Sequence, residues 1–356
     1  MAWSAHGGGP AAARRMSPRG GSPYTIGIEG EALAEYQKKY ITEMKTGDKI
    51  DSVLSVHYKK SPSEYRNGVM FEFRVADRTG QITVKFWGGE DAEEVAKMHS
   101  SISRDSVVRV RGTVGEYRGQ MEIAINPADG EGFSLLSEGD FELTDLIEKR
   151  KDIDESVAKM RELIGSIEDQ YLRALLDRVF GDEAFMKRFS ECPASIMLHS
   201  NEIGGLIHHT MNVADHCLIA WKQYGEMDRD LLLAGALLHD IGKVESFRVT
   251  TNINQTEEGI FLGHLIIGMT MAQKAIDSIE GFPKDKRNKL LHILLSHHGR
   301  KEWGSPVEPA IPEALTIHYA DDFDAKLEYM LIRREEATTD DSWLWDTRFR
   351  RHIYLG

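Results

Sequence analysis

The stretch that decides the fold of the C-terminal part of this chain is Leu237-Leu238-His239-Asp240-Ile241-Gly242-Lys243. A histidine followed directly by an aspartate places an imidazole, the commonest metal ligand, beside a carboxylate that is able to bridge two cations. Adjacent side chains on a helix diverge by about 100°, so such a pair converges on metal best near a helix end. We therefore expect Gly242 to end this helix and the pair to bind metal.

Further potential ligands lie on both sides of this pair. Ten of the 14 histidines fall between His199 and His318, far more than even placement would give. Each candidate lies near one end of a predicted helix, as a metal site inside a helical bundle requires. The candidates are His209, His264, His297, His298 and Asp321. Mixed histidine and carboxylate ligation fits Mn²⁺, Fe²⁺, Co²⁺ or Ni²⁺ better than Mg²⁺, which prefers oxygen ligands.

The region around these residues has the pattern of a helical domain. Apolar residues recur at spacings of three and four, which predicts an all-α bundle over residues 166–336. The predicted helices span 171–180, 183–189, 208–224, 229–243, 264–279, 284–296 and 313–334. Residues 131–165 are interpreted as a linker and a helical arm, and residues 337–356 as a C-terminal tail with several aromatic residues.

The N-terminal part has a different pattern. Apolar residues alternate at 69–75 and 81–87 around the turn Asp77-Arg78-Thr79-Gly80, which predicts a hairpin. A second hairpin, 107–114 and 120–125, follows a helical stretch at 91–98. Strands, one helix and more strands in a domain of about 100 residues indicate a small β-barrel, which we place at 39–130. Residues 1–38 are rich in Gly, Ala, Pro and Ser and are interpreted as a disordered tail with a short helix.

Charge and composition limit the function. The net charge of −13 argues against a protein that coats duplex nucleic acid. Residues 47–126 are neutral, with 12 basic and 12 acidic residues, which is weakly consistent with a phosphate-backbone partner. Neither a signal peptide nor a membrane span is expected, and the two cysteines suggest no disulfide framework. These features predict a cytoplasmic protein.

The motifs together resemble a known family. The histidine and aspartate motifs are similar to those of HD-domain metal-dependent phosphohydrolases, whose pattern is H…HD…H…H…D. The stretch 75–82, Phe86-Trp87 and Val110-Arg111-Gly112 resemble an OB-fold of the nucleic-acid-binding kind. An OB-fold ahead of an HD domain, with the segment Glu302-Trp303-Gly304-Ser305-Pro306, resembles the YhaM-type 3′–5′ exoribonucleases.

This resemblance implies a fold, a cofactor and a reaction. The fold is multidomain α+β, with a five-stranded OB-fold barrel followed by the helical HD domain. Two divalent cations, most favourably Mn²⁺, are implied, with Asp240 as a catalytic residue shared between them. By the family pattern one ion is held by His209, His239, Asp240 and Asp321, and the other by His264, His297, His298 and Asp240.

The substrate contacts are predicted from residue types. Lys243 lies one turn beyond Asp240 and is expected to act in catalysis as a point charge on substrate phosphate. Arg300 and Lys301 are weaker phosphate candidates. An OB barrel binds single strands through basic side chains and aromatic faces. The candidates for these contacts are Lys59, Tyr65, Arg66, Phe86, Arg109, Arg111, Tyr117 and Arg118; the alternative for Phe86 is barrel core.

The sequence thus predicts a metal-dependent 3′–5′ exoribonuclease that hydrolyses single-stranded RNA to nucleoside 5′-monophosphates. Single-stranded DNA stays open as a further substrate. Two other functions stay open. One is an HD phosphohydrolase of a nucleotide or cyclic nucleotide. The other is a single-strand-binding protein without turnover. No membrane partner is expected, and a homo-oligomer is compatible with the sequence.

Overall fold

The structure is a computed structural model that describes residues 38–195, 202–335, 337 and 341–356. The predicted tail and helix at 1–38 therefore lie almost entirely outside the described residues. The N-terminal domain comprises β1 (Lys49–Lys59), β2 (Ser63–Tyr65), β3 (Gly68–Asp77), β4 (Gly80–Trp87), α1 (Ala92–Ser101), β5 (Val107–Tyr117), β6 (Gln120–Ile125) and β7 (Gly132–Leu136).

Five of these strands close on one another. Strand β1 pairs with β3, β3 with β4, β4 with β6, β6 with β5, and β5 again with β1. This ring is the predicted five-stranded OB barrel, with α1 between its third and fourth strands. The turn between β3 and β4 begins at Asp77, which pairs with Gly80 as expected. Strand β7 pairs with β5, so the sheet extends past residue 130 into the region that the sequence analysis placed in the linker.

Phenylalanine side chains fill the barrel. Phe71, Phe73, Phe86 and Phe133 are buried, and their ring centroids lie 5.2 to 6.3 Å apart in mutual contacts. Side chains on a strand alternate between its two faces, and Phe86 shares the inner face of β4 with Val84 and Ile82. Phe86 is only 1% exposed, so the expectation that it stacks on a base is wrong.

The second domain is a helical bundle, as predicted. It contains α2 (Ile153–Gly165), α3 (Gln170–Phe180), α4 (Glu183–Glu191), α5 (Gly205–Tyr224), α6 (Arg229–Leu238), α7 (Lys243–Ser246), β8 (Phe247–Val249), β9 (Ile253–Gln255), α8 (Glu257–Asp277), α9 (Lys284–Ser296) and α10 (Pro312–Glu335). The helix predicted over 229–243 ends at Leu238, and the chain continues through a turn into α7. The short β8–β9 hairpin is an addition to the all-α expectation.

The two domains share an apolar interface. Val53 and Val107 of the barrel form one cluster with Leu146, Ile147, Ile153 and Ile203, and Val249 and Ile253 of the β8–β9 hairpin pack against it. The hairpin connects the Asp240 turn to the helix that carries His264. The barrel is therefore anchored to the chain segment between two parts of the histidine cluster.

Helix α8 is long and apolar enough, by length and composition, to cross a membrane. In the structure it packs against α7, α9 and α3, and it kinks at Gly263, where φ is 74° and ψ is 152°. Ala272 and Ile276 belong to the apolar core of the bundle. About a third of the apolar stretch, 33%, is buried in the structure, and Ile260, Phe261 and Leu262 are exposed.

The C-terminal tail is folded where the structure describes it. Strands β10 (Trp343–Asp346) and β11 (Arg351–Tyr354) form an antiparallel hairpin. Asp346 is buried and accepts a hydrogen bond of 2.8 Å from the hydroxyl of Tyr329 on α10. The hairpin is thus fixed against the last helix of the bundle.

Candidate metal centre

The helices bring the candidate ligands of the sequence analysis together. His209 lies in the first turns of α5, while His239 and Asp240 follow the last residue of α6. His264 directly follows the kink in α8, His297 and His298 follow α9, and Asp321 lies in the middle of α10. Ligand atoms of His209, His239 and Asp321 lie within 4.8 Å of one another, as do those of His264, His297 and His298.

Asp240 stands between these two groups. Its Oδ2 atom lies 3.2 Å from His239 Nε2 and 3.7 Å from His209 Nε2. Its Oδ1 atom lies 3.4 Å from His264 Nε2 and 3.7 Å from His297 Nε2. One carboxylate oxygen therefore faces each group, which is the arrangement that a carboxylate needs in order to bridge two cations.

Backbone carbonyls orient three of the imidazoles. The Nδ1 atoms of His239, His297 and His298 lie 2.7, 2.9 and 2.8 Å from the carbonyl oxygens of Ala236, Leu294 and Trp303. With the proton on Nδ1, each ring donates there and presents the lone pair of Nε2 to the centre. Outer hydrogen bonds of this kind hold metal-binding histidines in one tautomer and one orientation.

A carboxylate orients His209. Its Nδ1 atom lies 2.6 Å from Asp324 Oδ2, while its Nε2 atom points to Asp321 Oδ1 at 3.2 Å. Asn212, one turn along α5 from His208, donates to the other oxygen of Asp324 at 3.0 Å. The position of Asp324 three residues after Asp321 predicts either a surface residue or a group that orients a ligand, and its contact with His209 is of the second kind. Asn212 had no such signal in the sequence.

Neighbouring cations and hydrogen-bond donors keep the two carboxylates ionised in spite of their burial. Burial alone would raise the pKa of Asp240, yet Lys243 and His239 hold this pKa well below 3.8. For Asp321 the hydrogen bond to His209 and the charge of His239 outweigh burial and lower its pKa. Burial would lower the pKa of His209, but hydrogen bonds to Asp321 and Asp324 raise its pKa to about 10. Burial lowers the pKa of both His264 and His298 below 6.5.

The donor set fits two divalent cations. Asp240 Oδ1 and His297 Nε2 are buried and have no hydrogen-bond partner within the described residues. A buried acceptor without a partner costs about 1–3 kcal/mol, and a cation between the two groups would satisfy both atoms. His209, His239, Asp240 and Asp321 would hold one ion, and His264, His297, His298 and Asp240 the other. Nitrogen and carboxylate donors together suit the first-row transition metals.

Three basic candidates lie at different distances from the centre. The ammonium of Lys243 lies 2.6 Å from Asp240 Oδ2 and is largely buried. Lys243 is the first residue of the short helix α7. Arg300 is exposed and lies over the ring of Trp303 at 4.9 Å, and Lys301 is exposed beside it. Of the three, only Lys243 is brought into the centre.

The expectation that the helix ends at Gly242 is wrong, because the helix already ends at Leu238. The φ of −65° at Gly242 is ordinary for any residue. The close approach of α8 requires the glycine, because a Cβ atom there would lie 2.0 Å from the carbonyl oxygen of His264. The glycine therefore lets the Asp240 turn reach the helix that carries His264.

Some of the side chains predicted to contact nucleic acid are bound to other parts of the barrel, and others are exposed to solvent. Lys59 donates to the carbonyls of His99 and Ile102 at the end of α1, and Arg109 pairs with Asp51 through two hydrogen bonds. These two side chains hold the barrel together. Tyr65 is partly buried against Trp87, with ring centroids 4.9 Å apart.

The remaining candidates lie on the barrel surface. Arg66, Arg111 and Arg118 are exposed. The ring of Tyr117 is 53% exposed and has Lys85 and Arg118 over it at 4.5 and 5.2 Å. An exposed aromatic ring among cations is a surface of the kind on which single strands stack.

Comparisons with known proteins agree with both domains. The chain matches the HD domain family over residues 206–326 and an OB-fold nucleic acid binding domain over residues 55–127. A protein named 3′-5′ exoribonuclease YhaM from Geobacillus sp. (strain WCH70) is 30% identical over 81% of this chain and 86% of its own length. The protein of the same name from Bacillus licheniformis is 29% identical over 80% of this chain and 88% of its own.

Among solved structures, the HD domain of the L. monocytogenes phosphodiesterase PgpH aligns with a TM-score of 0.28 at 18% identity, covering 45% of this chain and 79% of that one. The sequence matches span both domains of the chain and include the whole histidine cluster. On this similarity the chain belongs to the YhaM family of HD-domain proteins with an N-terminal OB-fold.

Proposed function

We propose that this chain is a metal-dependent 3′–5′ exoribonuclease that degrades single-stranded RNA, and also single-stranded DNA, to nucleoside 5′-monophosphates. The observation that carries the proposal is Asp240, whose two oxygens each face a separate group of histidines. The OB barrel tethered to the HD domain supports a strand rather than a free nucleotide as substrate. The exonuclease name of the relatives supports the 3′–5′ direction.

The chemistry follows from the donor set. Two divalent cations held by these residues would supply a water molecule activated for in-line attack and would neutralise charge on the phosphoryl oxygens. The histidines and Asp321 bind and orient, and Asp240 links the two groups. Lys243 contacts Asp240 at 2.6 Å, and we expect it to exchange this contact for one with a substrate phosphate. Attack at the terminal phosphodiester breaks the bond to the 3′ oxygen of the preceding nucleotide and leaves the phosphate on the released 5′-monophosphate.

Mn²⁺ is our proposed metal. Five histidines and two aspartates offer more nitrogen than Mg²⁺ prefers, and Fe²⁺, Co²⁺ and Ni²⁺ are the alternatives that this donor set also suits. Metal analysis of the purified protein tests this assignment directly. Two transition-metal ions per chain support it, and a chain that takes up only Mg²⁺ contradicts it.

The test of function uses single-stranded RNA labelled separately at its 5′ and 3′ ends, with Mn²⁺ present. We expect the 3′ label to appear at once in mononucleotide while the 5′-labelled strand shortens progressively. His239→Ala and Asp240→Ala should each abolish turnover, because each removes a donor from the centre. Asp322→Asn is the matched control, since Asp322 belongs to neither ligand group and pairs with Lys326 one turn further along α10.

Other results would identify a different function. An intact strand together with phosphate release from mono- or cyclic nucleotides would indicate a small-molecule phosphohydrolase. Binding of the strand without cleavage under any divalent metal would indicate a strand-binding protein. Either result contradicts the exonuclease proposal.

The cellular setting is also a proposal. A nuclease without a disulfide framework suits the reducing cytoplasm, where its RNA substrates occur. We propose the cytoplasm as its location, and a homo-oligomer as an assembly that sedimentation velocity of the full chain would test. Fractionation of cells that produce the chain at native level tests the location.

A further inference from the structure

The C-terminal hairpin presents an aromatic face to solvent. Trp343 pairs with Tyr354 across the two strands, and Trp345 pairs with His352. Because side chains alternate across a strand, these four rings share one face. Trp343, Trp345 and Tyr354 are 58%, 54% and 56% exposed, and the ring centroids in each cross-strand pair lie 5.0 Å apart. We call this surface, residues 343, 345, 352 and 354, the aromatic face.

The opposite face of the hairpin holds it in place. Ile353 and Asp346 are buried, and Asp346 also accepts the backbone N–H of Phe349 at 2.7 Å. The ring of Phe349 packs edge-on against Tyr329 of α10 at 5.4 Å. A two-stranded hairpin is marginally stable alone, so these contacts fix the direction in which the aromatic face points.

Positive charge lies at the turn next to the aromatic face. Residues 343–356 contain three exposed arginines: Arg348 and Arg350 lie in the turn, whereas Arg351 pairs with Asp346 and so lies on the inner face. Asp346 is buried on the inner face, and Asp341, just before the first strand, is exposed. The turn itself therefore carries exposed cations in a chain whose net charge is −13. Exposed rings beside cations are the two features that bind single-stranded nucleic acid without sequence preference.

We propose that the aromatic face and the arginines of its turn form a second binding site for single-stranded RNA, separate from the OB barrel. Bases would stack on Trp343 and Trp345, and the arginines would contact phosphates. Tyr329, where the hairpin is anchored, lies eight residues from Asp321 on one helix, about 12 Å along its axis. An RNA strand whose 3′ end lies in the metal centre would thus be able to reach the aromatic face. The inference rests on the proposed function, because it takes RNA as the substrate of that centre.

A second copy of the chain fits this face less well. In a symmetric dimer the same surface of both copies meets, and the aromatic face, residues 343, 345, 352 and 354, carries no carboxylate to pair with the arginines of the turn. A polyanion supplies the negative charge that neutralises them. The chemistry of the surface therefore favours RNA.

Binding is measured by fluorescence anisotropy of a labelled oligouridylate with EDTA present, so that turnover does not interfere. The full-length Trp343→Ala/Trp345→Ala variant should bind at least about tenfold more weakly, because stacking contacts to two bases are lost. Trp343→Phe/Trp345→Phe keeps flat rings and should bind nearly as well as the parent chain. Tyr224→Ala is the matched control, because Tyr224 is a 69% exposed ring at the end of α5, away from the hairpin. Arg350→Gln should lower the slope of log affinity against log salt by about 0.7.

The catalytic centre is assayed separately with bis(p-nitrophenyl) phosphate and Mn²⁺. We expect the alanine variant to keep the parent rate on this small substrate while it loses affinity for RNA. Equal RNA affinity in parent and variant overturns the inference and leaves the proposed function standing. A parent chain that neither binds nor degrades RNA overturns both. A variant that changes only from dimer to monomer in sedimentation, with RNA affinity retained, identifies the face as a contact between copies and also overturns the inference.

Discussion

At the scale of single residues, Asp324 is the side chain that fixes His209. It contacts Nδ1 of His209 at 2.6 Å and is itself held by Asn212 at 3.0 Å. Asp324→Asn removes the charge that favours a proton on Nδ1 and therefore weakens the presentation of Nε2 to the centre. We expect Mn²⁺ affinity to fall by about 10- to 100-fold at one of two sites, measured by calorimetric titration.

The control for this change is Asp322→Asn, two positions earlier on α10, which removes an ion pair with Lys326 at the surface. Its two Mn²⁺ affinities should equal those of the parent chain. Unchanged Mn²⁺ binding in Asp324→Asn would contradict the positioning role, and a lowered stability of the metal-free chain would point to a structural role instead.

The types and spacing of residues predicted which side chains meet at the metal centre. They did not predict which side chains of the barrel are free to bind a nucleic-acid strand. The spacing of His209, the His239–Asp240 pair, His264, the histidine pair and Asp321 was sufficient because metal ligands must converge. Phe86 and Lys59 were predicted to contact nucleic acid, and the structure engages both side chains within the barrel domain instead. Alternation along β4 separates two faces but does not say which face the closed barrel encloses. The two carbonyls that bind Lys59 belong to α1, which is distant in sequence.

At the scale of elements, the contact between the Asp240 turn and α8 depends on Gly242. A Cβ atom at this position would lie 2.0 Å from the carbonyl oxygen of His264 and 2.5 Å from the nitrogen of Gly268, so the two segments would have to separate. We expect Gly242→Ala to lower the free energy of unfolding by about 1–3 kcal/mol, measured by urea denaturation. It should also weaken Mn²⁺ binding, because His264 would move away from Asp240.

Gly165→Ala is the comparison for this change, since a Cβ atom there meets nothing within 4 Å. Its stability should match or slightly exceed that of the parent, because alanine restricts the unfolded chain more than glycine does. An equally stable Gly242→Ala variant would mean that α8 is able to shift without cost.

Long elements were predictable from sequence and short ones were not. The ring strands and the bundle helices carry enough residues for a period of two or of three to four to be evident. Strands β8 and β9 have three residues each, too few to show alternation. Strand β7 finds its partner β5 only through the folded barrel, and the role of Gly242 depends on a helix that lies further along the chain. These features arise from tertiary contacts.

At the scale of the whole molecule, a polar latch joins the barrel to the helical domain. Asp105 lies in the loop before β5 with a φ of 68°, and its Oδ1 atom accepts hydrogen bonds from Asn252 at 2.9 Å and Asn254 at 3.0 Å. Ser55 of β1 donates to the side chain of Asn252 at 2.9 Å. Since Asn252 and Asn254 lie in the β8–β9 hairpin region, the latch ties the barrel to the segment between Asp240 and His264.

Because of this latch, we expect a change at Asp105 to alter how the RNA strand is held but not the rate of hydrolysis of a small substrate. Asp105→Gly keeps the left-handed backbone available and removes only the side chain, so two hydrogen bonds worth about 1–3 kcal/mol in total are lost. We expect unchanged hydrolysis of bis(p-nitrophenyl) phosphate with Mn²⁺, but a ladder of shortened intermediates on a long 5′-labelled RNA, because the loosened barrel releases the strand between cuts. Asp105→Asn retains an acceptor and the same backbone preference, so its product pattern should resemble that of the parent. If Asp105→Gly loosens the interface in limited proteolysis and still gives the parent pattern on RNA, the barrel does not need this latch to present the strand.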